Sequence, residues 1–447
     1  MKNVVEPPNL NDEVKFTKLK QSIIKEEDIE KVKHSWIRLL KEIEKLTNEI
    51  SDDYIPIVDW KDLKGTEFKG ELADKFKERG VLIVRNVVST ETAQGWLQLL
   101  KDFTQKHPEV GGFQSPPVNW FVFWNKAQVE ARSHPEILEM MKIISNVFYV
   151  EDETLPIDID SQVVYADSFR IRKPGKALSL DLHLDSGSTE RWEDPGYRSV
   201  YQAIFEGRWE DYEPFKLDAR SLARSDLYTH LEGRNSACSA FRSLQGWLSL
   251  SESQKGDGTL RVLPNIKLIT AYIMLRPFFW KDDGEIDLET PKFPGAVEGS
   301  GQFFISEEFH PHLKPLQTVL AIPNVNFGDY VFWHCDLAHE VEKVHSGPDE
   351  SSVLYYGISP LCPYNIDNLL HMNESFRAVK TPRDFQSIVQ PQQKEGDYHD
   401  HGANISNILS NAGLRSMGFM DFDINEIGLT SGQIQIRKLA NEILNKP

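Results

Sequence analysis

Gly328-Asp329-Tyr330-Val331-Phe332-Trp333-His334-Cys335-Asp336-Leu337-Ala338-His339 reads as a turn, a covered strand and a return. Gly-Asp is a turn signal, and the unbroken aromatic and β-branched run after it suits a strand buried on both faces. The stretch carries two histidines, His334 and His339, at the rim of that strand. Earlier in the chain, Leu182-His183-Leu184-Asp185 sets an imidazole and a carboxylate two residues apart, so a pleated backbone projects both to one side. A non-haem iron(II) site takes two histidines and one carboxylate on one face of the metal and leaves its other positions open. His183 and Asp185 supply two such ligands, and either His334 or His339 supplies the third.

Working outward, the chain from Gln162 onward is a series of short β-branched and aromatic segments divided by Gly, Pro, Asn and Asp. Strands are predicted over 162–172, 180–185, 200–205, 243–249, 259–263, 329–334, 339–344 and 352–358. Short strands in this number fit an α+β fold with a double-stranded β-helix core, the jelly-roll or cupin-like arrangement in which two sheets face each other across a pocket. The first part of the chain is helical instead. Ile29, Val32, Trp36, Leu39, Ile43, Leu46 and Ile50 recur at steps of three and four, one stripe of an amphipathic helix that packs on its own domain or forms a dimer contact. A helix before Gly80, a strand over 81–88 and a helix beginning at Ser89 or Thr90 follow. Residues 1 to about 25, polar and holding a Pro-Pro pair, are expected to form a loosely held arm.

The 447 residues carry a formal charge of -18, which argues against nucleic acid and anionic membrane surfaces as partners, since both need a basic face. The opening MKNVVEPPNLNDEVKF lacks the regions of a secretory signal, and no apolar run is long enough to span a bilayer. The three cysteines, Cys238, Cys335 and Cys362, have no metal-knuckle or redox spacing and fit a reducing compartment. A cytoplasmic enzyme acting on a small molecule is the expectation. No Gly-x-Ser-x-Gly elbow, P-loop or Gly-x-Gly-x-x-Gly is present. His310-Pro311-His312 and His399-Asp400-His401 are expected to be solvated loops.

The stretch from Gly328 to His339 resembles the phytanoyl-CoA dioxygenase group, in which a Gly-Asp turn leads through an apolar strand to a first histidine and, five positions on, to a ligand histidine. That resemblance implies His339 as the third metal ligand. Trp247-Leu-Ser-Leu-Ser followed by Gly258-Thr-Leu-Arg261-Val-Leu-Pro264 is similar to two further blocks of the group, in the same order. Within this superfamily the chain is identified as a member of the DUF1479 family. The carrying residues are Tyr165-Ala-Asp-Ser-Phe-Arg-Ile-Arg172, the His183-x-Asp185 with Gly187-Ser-x-Glu190-Arg191-Trp192, Ala203-Ile-Phe-x-Gly-x-Trp209-Glu210, and Phe241-Arg-Ser-x-Gln-Gly-Trp247. The implied division is an arm and helix over 1–60 and an oxygenase-like domain over 61–447, with its core at about 160–362 and an insertion at about 186–240.

The same resemblance implies Fe(II) and 2-oxoglutarate as cofactors and molecular oxygen as a reactant. An arginine beyond the distal histidine would then pair the far carboxylate of the oxo-acid. Here the sequence departs from the group, for Ser351 stands where that arginine belongs. Arg261 is the first choice for the missing cation, ahead of Arg242, Arg170 and Arg172, with Trp247 lining the co-substrate pocket and Ser351 offering a hydrogen bond. In the insertion, Arg191, Trp192, Tyr197, Arg198, Tyr201 and Trp209 either meet an acidic or aromatic small molecule or pack the insertion itself. The competing readings are a metal-dependent cupin-like enzyme without the oxo-acid and a non-catalytic binding protein on the same fold.

Overall fold

In a computed structural model of the chain, residues 10–177, 180–185, 187–217, 238, 240–386, 395–397 and 404–445 are described. They form a mixed α/β fold on two large sheets. In chain order the strands are β1 (Ile57–Asp59), β2 (Val81–Arg85), β3 (Gly112–Phe113), β4 (Asn119–Trp120), β5 (Asp158–Gln162), β6 (Phe169–Arg172), β7 (Gly175–Lys176), β8 (His183–Leu184), β9 (Leu244–Ser249), β10 (Leu260–Val262), β11 (Phe303–Phe304), β12 (Leu320–Ala321), β13 (Tyr330–His334), β14 (His339–Val341), β15 (Val344–His345), β16 (Ser351–Tyr355) and β17 (Pro360–Leu361). The larger sheet has the order β1-β2-β13-β9-β16-β6-β4-β3 and the smaller β11-β8-β14-β10-β12. Between β6 and β16 the chain passes back and forth, with β6, β9, β13 and β16 in the larger sheet and β8, β10 and β14 in the smaller.

The Gly-Asp turn before β13 is fixed by its own chemistry. Gly328 has φ +84°, and a Cβ there would lie 2.1 Å from the Val88 carbonyl, so only glycine fits. The buried Asp329 carboxylate accepts from the main-chain N–H of Asn86 (2.9 Å) and Asn326 (2.7 Å) and pairs with Arg85 (2.5 Å). This ties β13 to β2, its antiparallel neighbour.

Seven of the eight predicted strand regions contain a strand; the exception is Val200–Phe205, where Gln202–Phe205 is helical. Tyr197, Tyr201 and Phe205 are buried and four residues apart, a helical face that outweighs the β-branched Val200. The expected arm is also different, because Leu10–Ile23 is a helix, α1, with Phe16 and Ile23 buried. Its Lys20 is fully covered, donating to the Pro277 carbonyl (2.6 Å) and facing Asp287 at 3.4 Å. Helix α2 (Ile29–Glu49) buries Val32, Trp36, Leu39, Ile43 and Leu46. Trp36 stacks on Phe279 at 4.7 Å and on Tyr272 at 5.1 Å, so the stripe packs within the chain. Each such side chain contributes about 1.5–3 kcal/mol by burial. One large apolar cluster follows the larger sheet, and a second joins α1, α2, residues 182–212 and the helix Ile266–Leu275. Among the described residues no helix is long and apolar enough to cross a membrane.

Candidate metal centre and its cavity

Strands β8 and β14 are neighbours, and their register sets His183 directly opposite His339. In each ring Nδ1 lies on a main-chain carbonyl, 2.7 Å from Asp181 and 2.9 Å from Leu337. Nδ1 therefore carries the proton and donates it, which leaves the Nε2 lone pair free for a ligand. The two Nε2 atoms face the carboxylate oxygens of Asp185 at 3.4 Å and 3.5 Å. One donor atom from each of the three side chains lies within 4.8 Å of the others, and the buried His183 Nε2 has no hydrogen-bond partner. Two neutral imidazoles and a carboxylate, with a buried nitrogen unsatisfied, fit a divalent cation.

The electrostatics of Asp185 and His339 agree with that fit. Burial favours the neutral form of both histidines; at His183 the attraction of Asp185 outweighs it and raises the pKa, whereas at His339 repulsion from His183 adds to it and the pKa falls. Burial also opposes the Asp185 carboxylate, yet the two histidines hold its pKa well below the usual carboxylate range. The charged oxygen that a metal requires is thus already favoured.

Three side chains brace Asp185. Gln245 Nε2 donates to one carboxylate oxygen (2.9 Å) and Gln302 Nε2 to the other (3.0 Å), while Arg191 donates to the Asp185 main-chain carbonyl (2.6 Å). Gln245 is itself held by the Trp333 indole N–H (2.5 Å). In the sequence Gln245 stands out only as part of the block Phe241–Trp247, and Gln302 not at all. Gln245 had a usable signal, since it lies two residues from Trp247 and so on the same face of β9. Gln302 had none, because it reaches Asp185 across 117 residues of chain.

His334 is placed elsewhere. It is fully buried, its Nδ1 accepts from the Asp336 N–H (3.1 Å), and its Nε2 donates to the Pro214 carbonyl (3.1 Å). His334, Cys335 and Asp336 do bring possible ligand atoms together, but the Asp336 carboxylate is committed to Arg191 and Tyr201.

A cavity of about 450 Å³ opens beside the triad, lined from both sheets by His183, Leu260, His339 and Val341 on one side and by Arg170, Arg172, Gln245, Trp247, Trp333 and Tyr355 on the other. Arg170 and Arg172 alternate with Phe169 and Ile171 along β6 and so share the cavity face. They are 8% and 2% exposed, and neither forms an ion pair among the described residues. Arg172 donates through Nη1 to the Gly258 carbonyl (3.2 Å), while its Nε and Nη2 have no partner. Gly258, at φ +68°, makes room for it: a Cβ there would lie 2.7 Å from the guanidinium. Burial and repulsion from Arg170 lower the Arg172 pKa against the attraction of Glu342.

Of the expected co-substrate residues, Trp247 lies in the cavity wall. Ser351 opens β16 directly across from Arg172, with its hydroxyl buried and unpartnered. Arg261 lies elsewhere. Its neighbours Leu260 and Val262 turn into the core, so alternation sends Arg261 outward, where it pairs with Glu340 (2.6 Å), donates to the Val319 carbonyl (3.0 Å) and is 32% exposed. Arg242 lines the cavity 4.0 Å from Asp167, over the Tyr165 ring.

In the insertion, Trp192, Tyr197, Tyr201 and Trp209 belong to the helical apolar cluster, and Arg191 is fully buried among them. Arg198 donates to the Trp192 carbonyl (2.6 Å). These residues pack the insertion and do not line the cavity. His310 is likewise fully buried, contrary to the solvated loop expected of it, because Phe303 and Tyr272 pack on its ring. His399 and His401 lie outside the described residues.

Known proteins carry the same architecture. The Gig2-like family matches residues 8–419. The crystal structure of GlcNAc Inducible Gene 2, GIG2 (DUF1479), from Candida albicans is 45% identical and superimposes with a TM-score of 0.88, over 98% of this chain and 96% of that one. The uncharacterized protein YbiU of Escherichia coli (strain K12) is 27% identical over 388 residues, 80% of this chain and 89% of that protein. A crystal structure of a hypothetical protein from Escherichia coli is 25% identical, with a TM-score of 0.76 over 92% of this chain and 98% of that one. With a match running through the triad, the cavity and both sheets, the chain belongs to the Gig2-like family.

Proposed function

We propose that this chain is a non-haem iron(II) oxygenase that uses 2-oxoglutarate and oxidises a small molecule bound in the cavity, on a core whose alternating sheets form a double-stranded β-helix. The observation that carries the reading is the meeting of two free Nε2 lone pairs and one carboxylate at the edge of a cavity walled by an unpaired guanidinium. His183, Asp185 and His339 would hold the iron. Bound iron(II), with the oxo-acid and oxygen, supplies the oxidising chemistry.

The chain's own residues orient and shield. Gln245 and Gln302 fix the plane of the Asp185 carboxylate, and Trp247 and Trp333 give the cavity an apolar wall that excludes water. Arg172 receives the far carboxylate of the oxo-acid. Ser351, where the phytanoyl-CoA dioxygenase group has its arginine, lies opposite Arg172 in the ladder, which supports a cation supplied from the adjacent strand.

Anaerobic iron(II) titration tests the centre. His183→Ala and His339→Ala should each weaken binding at least about hundredfold, and wild-type affinity in both would refute the assignment. Succinate production from 2-oxoglutarate tests the co-substrate: iron binding with neither oxo-acid binding nor turnover would leave the cupin-like reading.

A further inference from the structure

The cavity holds one guanidinium more than the oxo-acid needs. Its charged wall residues are Asp167, Arg170, Arg172, Asp185 and Arg242. Asp167 and Arg242 face each other and offset one another. Asp185 with a divalent ion leaves one positive charge, and Arg170 and Arg172 add two. A dianionic oxo-acid neutralises two of these three. Glu342 attracts Arg172 from outside the cavity wall, whereas Arg170, with its Nε unpartnered, has no carboxylate at ion-pair distance among the described residues, so a ligand that supplies its counter-charge is favoured.

The two arginines are also held apart. Their Cα atoms stand about 6.6 Å from each other along the strand. Arg172 is anchored at the Gly258 carbonyl and faces Ser351. Arg170 lies across from Val353 on one side and Asn119 on the other, and shares the Tyr355 hydroxyl with Asn119. The wall on that side is apolar and aromatic, with Phe113, Val118, Phe121 and Phe385.

We propose that Arg170 receives the anionic group of the substrate, and that the substrate is a small monocarboxylate with an apolar or aromatic body. This rests on the oxygenase reading and on Arg172 as the partner of the oxo-acid.

The test is calorimetric and needs no turnover. Full-length protein is loaded with nickel(II), a redox-silent stand-in for iron, and saturated with 2-oxoglutarate. Acetate, hexanoate and benzoate are then titrated beside acetamide, hexanamide and benzamide. At least one acid should bind about tenfold or more tighter than its amide. Arg170→Gln should abolish that preference while keeping 2-oxoglutarate affinity within about threefold, and Arg170→Lys should restore part of it. Arg172→Gln should instead weaken 2-oxoglutarate by about tenfold or more. Equal loss of 2-oxoglutarate in Arg170→Gln and Arg172→Gln would mean that both guanidiniums share one carboxylate; the proposal then falls and the oxygenase reading stands. No acid preferred over its amide also overturns it. A wild-type protein that binds metal but no 2-oxoglutarate refutes the reading beneath it.

Discussion

Arg191 and Arg172 are both buried guanidiniums, 0% and 2% exposed, and they stand in opposite electrostatic situations. Arg191, in the helical half, donates to Asp336 (2.9 Å), to the Tyr201 hydroxyl (3.0 Å) and to the Asp185 carbonyl. Burial works against its charge, but Tyr197, Tyr201 and Asp336 together raise its pKa well above the ordinary value. Arg172, in the cavity half, donates to one main-chain carbonyl and forms no ion pair, and burial and Arg170 outweigh the attraction of Glu342 and lower its pKa. The pattern extends to neighbours: in the helical half Lys20 faces Asp287 and Arg276 pairs with Asp282, whereas in the cavity half Arg170 has no carboxylate at ion-pair distance among the described residues and its Nε has no partner. A buried cation whose charge is met inside the chain holds the fold. One whose charge is left over marks where a ligand sits.

The largest expected effect separates those two roles. Arg191→Met leaves Asp336 buried without its cation and should lower stability by about 3–5 kcal/mol. Arg172→Met removes a buried charge that forms no ion pair and should change stability by no more than about 1 kcal/mol, or raise it. Denaturant midpoints of the two variants, measured without added oxo-acid, decide the matter. Equal destabilisation would break the comparison, because Arg172 would then be structural as well.

Much of this was legible in the sequence, and the failures share a cause. His-x-Asp at strand spacing and a histidine closing an apolar strand are local patterns, and the ladder between β8 and β14 brings them together. The alternation Leu260-Arg261-Val262 also contained the information that Arg261 points away from the core, but which face is inside depends on the partner strands. Arg172 was visible as a candidate, yet its rank depended on the β6–β16 register that sets it opposite Ser351. The insertion's aromatic residues looked alike whether they met a ligand or one another. Only the position of α2 and the helix Ile266–Leu275 places them in the apolar cluster. Local periodicity sets the elements; long-range pairing decides which buried charge is answered.

His310 sharpens the same contrast by pH. It is fully buried in the compensated half, where desolvation first and Arg276 second push its pKa from 6.5 to about 3. Between those values the unfolded chain binds a proton that the folded chain does not. The neutral ring therefore contributes stability that is present above pH 6.5 and lost as the pH falls toward 3. The loss approaches about 1.4 kcal/mol per pH unit for this group. Stability measured against pH for wild type and His310→Gln should show the variant with the shallower slope in that window. Parallel slopes would mean that an acid proton finds compensation there after all.

The smallest effect belongs to the cation that sequence reasoning favoured. Arg261 and Glu340 pair across β10 and β14 on the outer face, with side chains 32% and 15% exposed. A pair this wet contributes about 0.2–1 kcal/mol. Arg261→Gln should therefore lower stability by less than about 1 kcal/mol and leave 2-oxoglutarate affinity unchanged, since the side chain lies outside the cavity wall. Salt provides the internal control, because raising ionic strength should erase the small difference between wild type and variant. A tenfold loss of oxo-acid binding in this variant, with Arg172→Gln unaffected, would reverse the assignment and return the co-substrate to the outer face of β10.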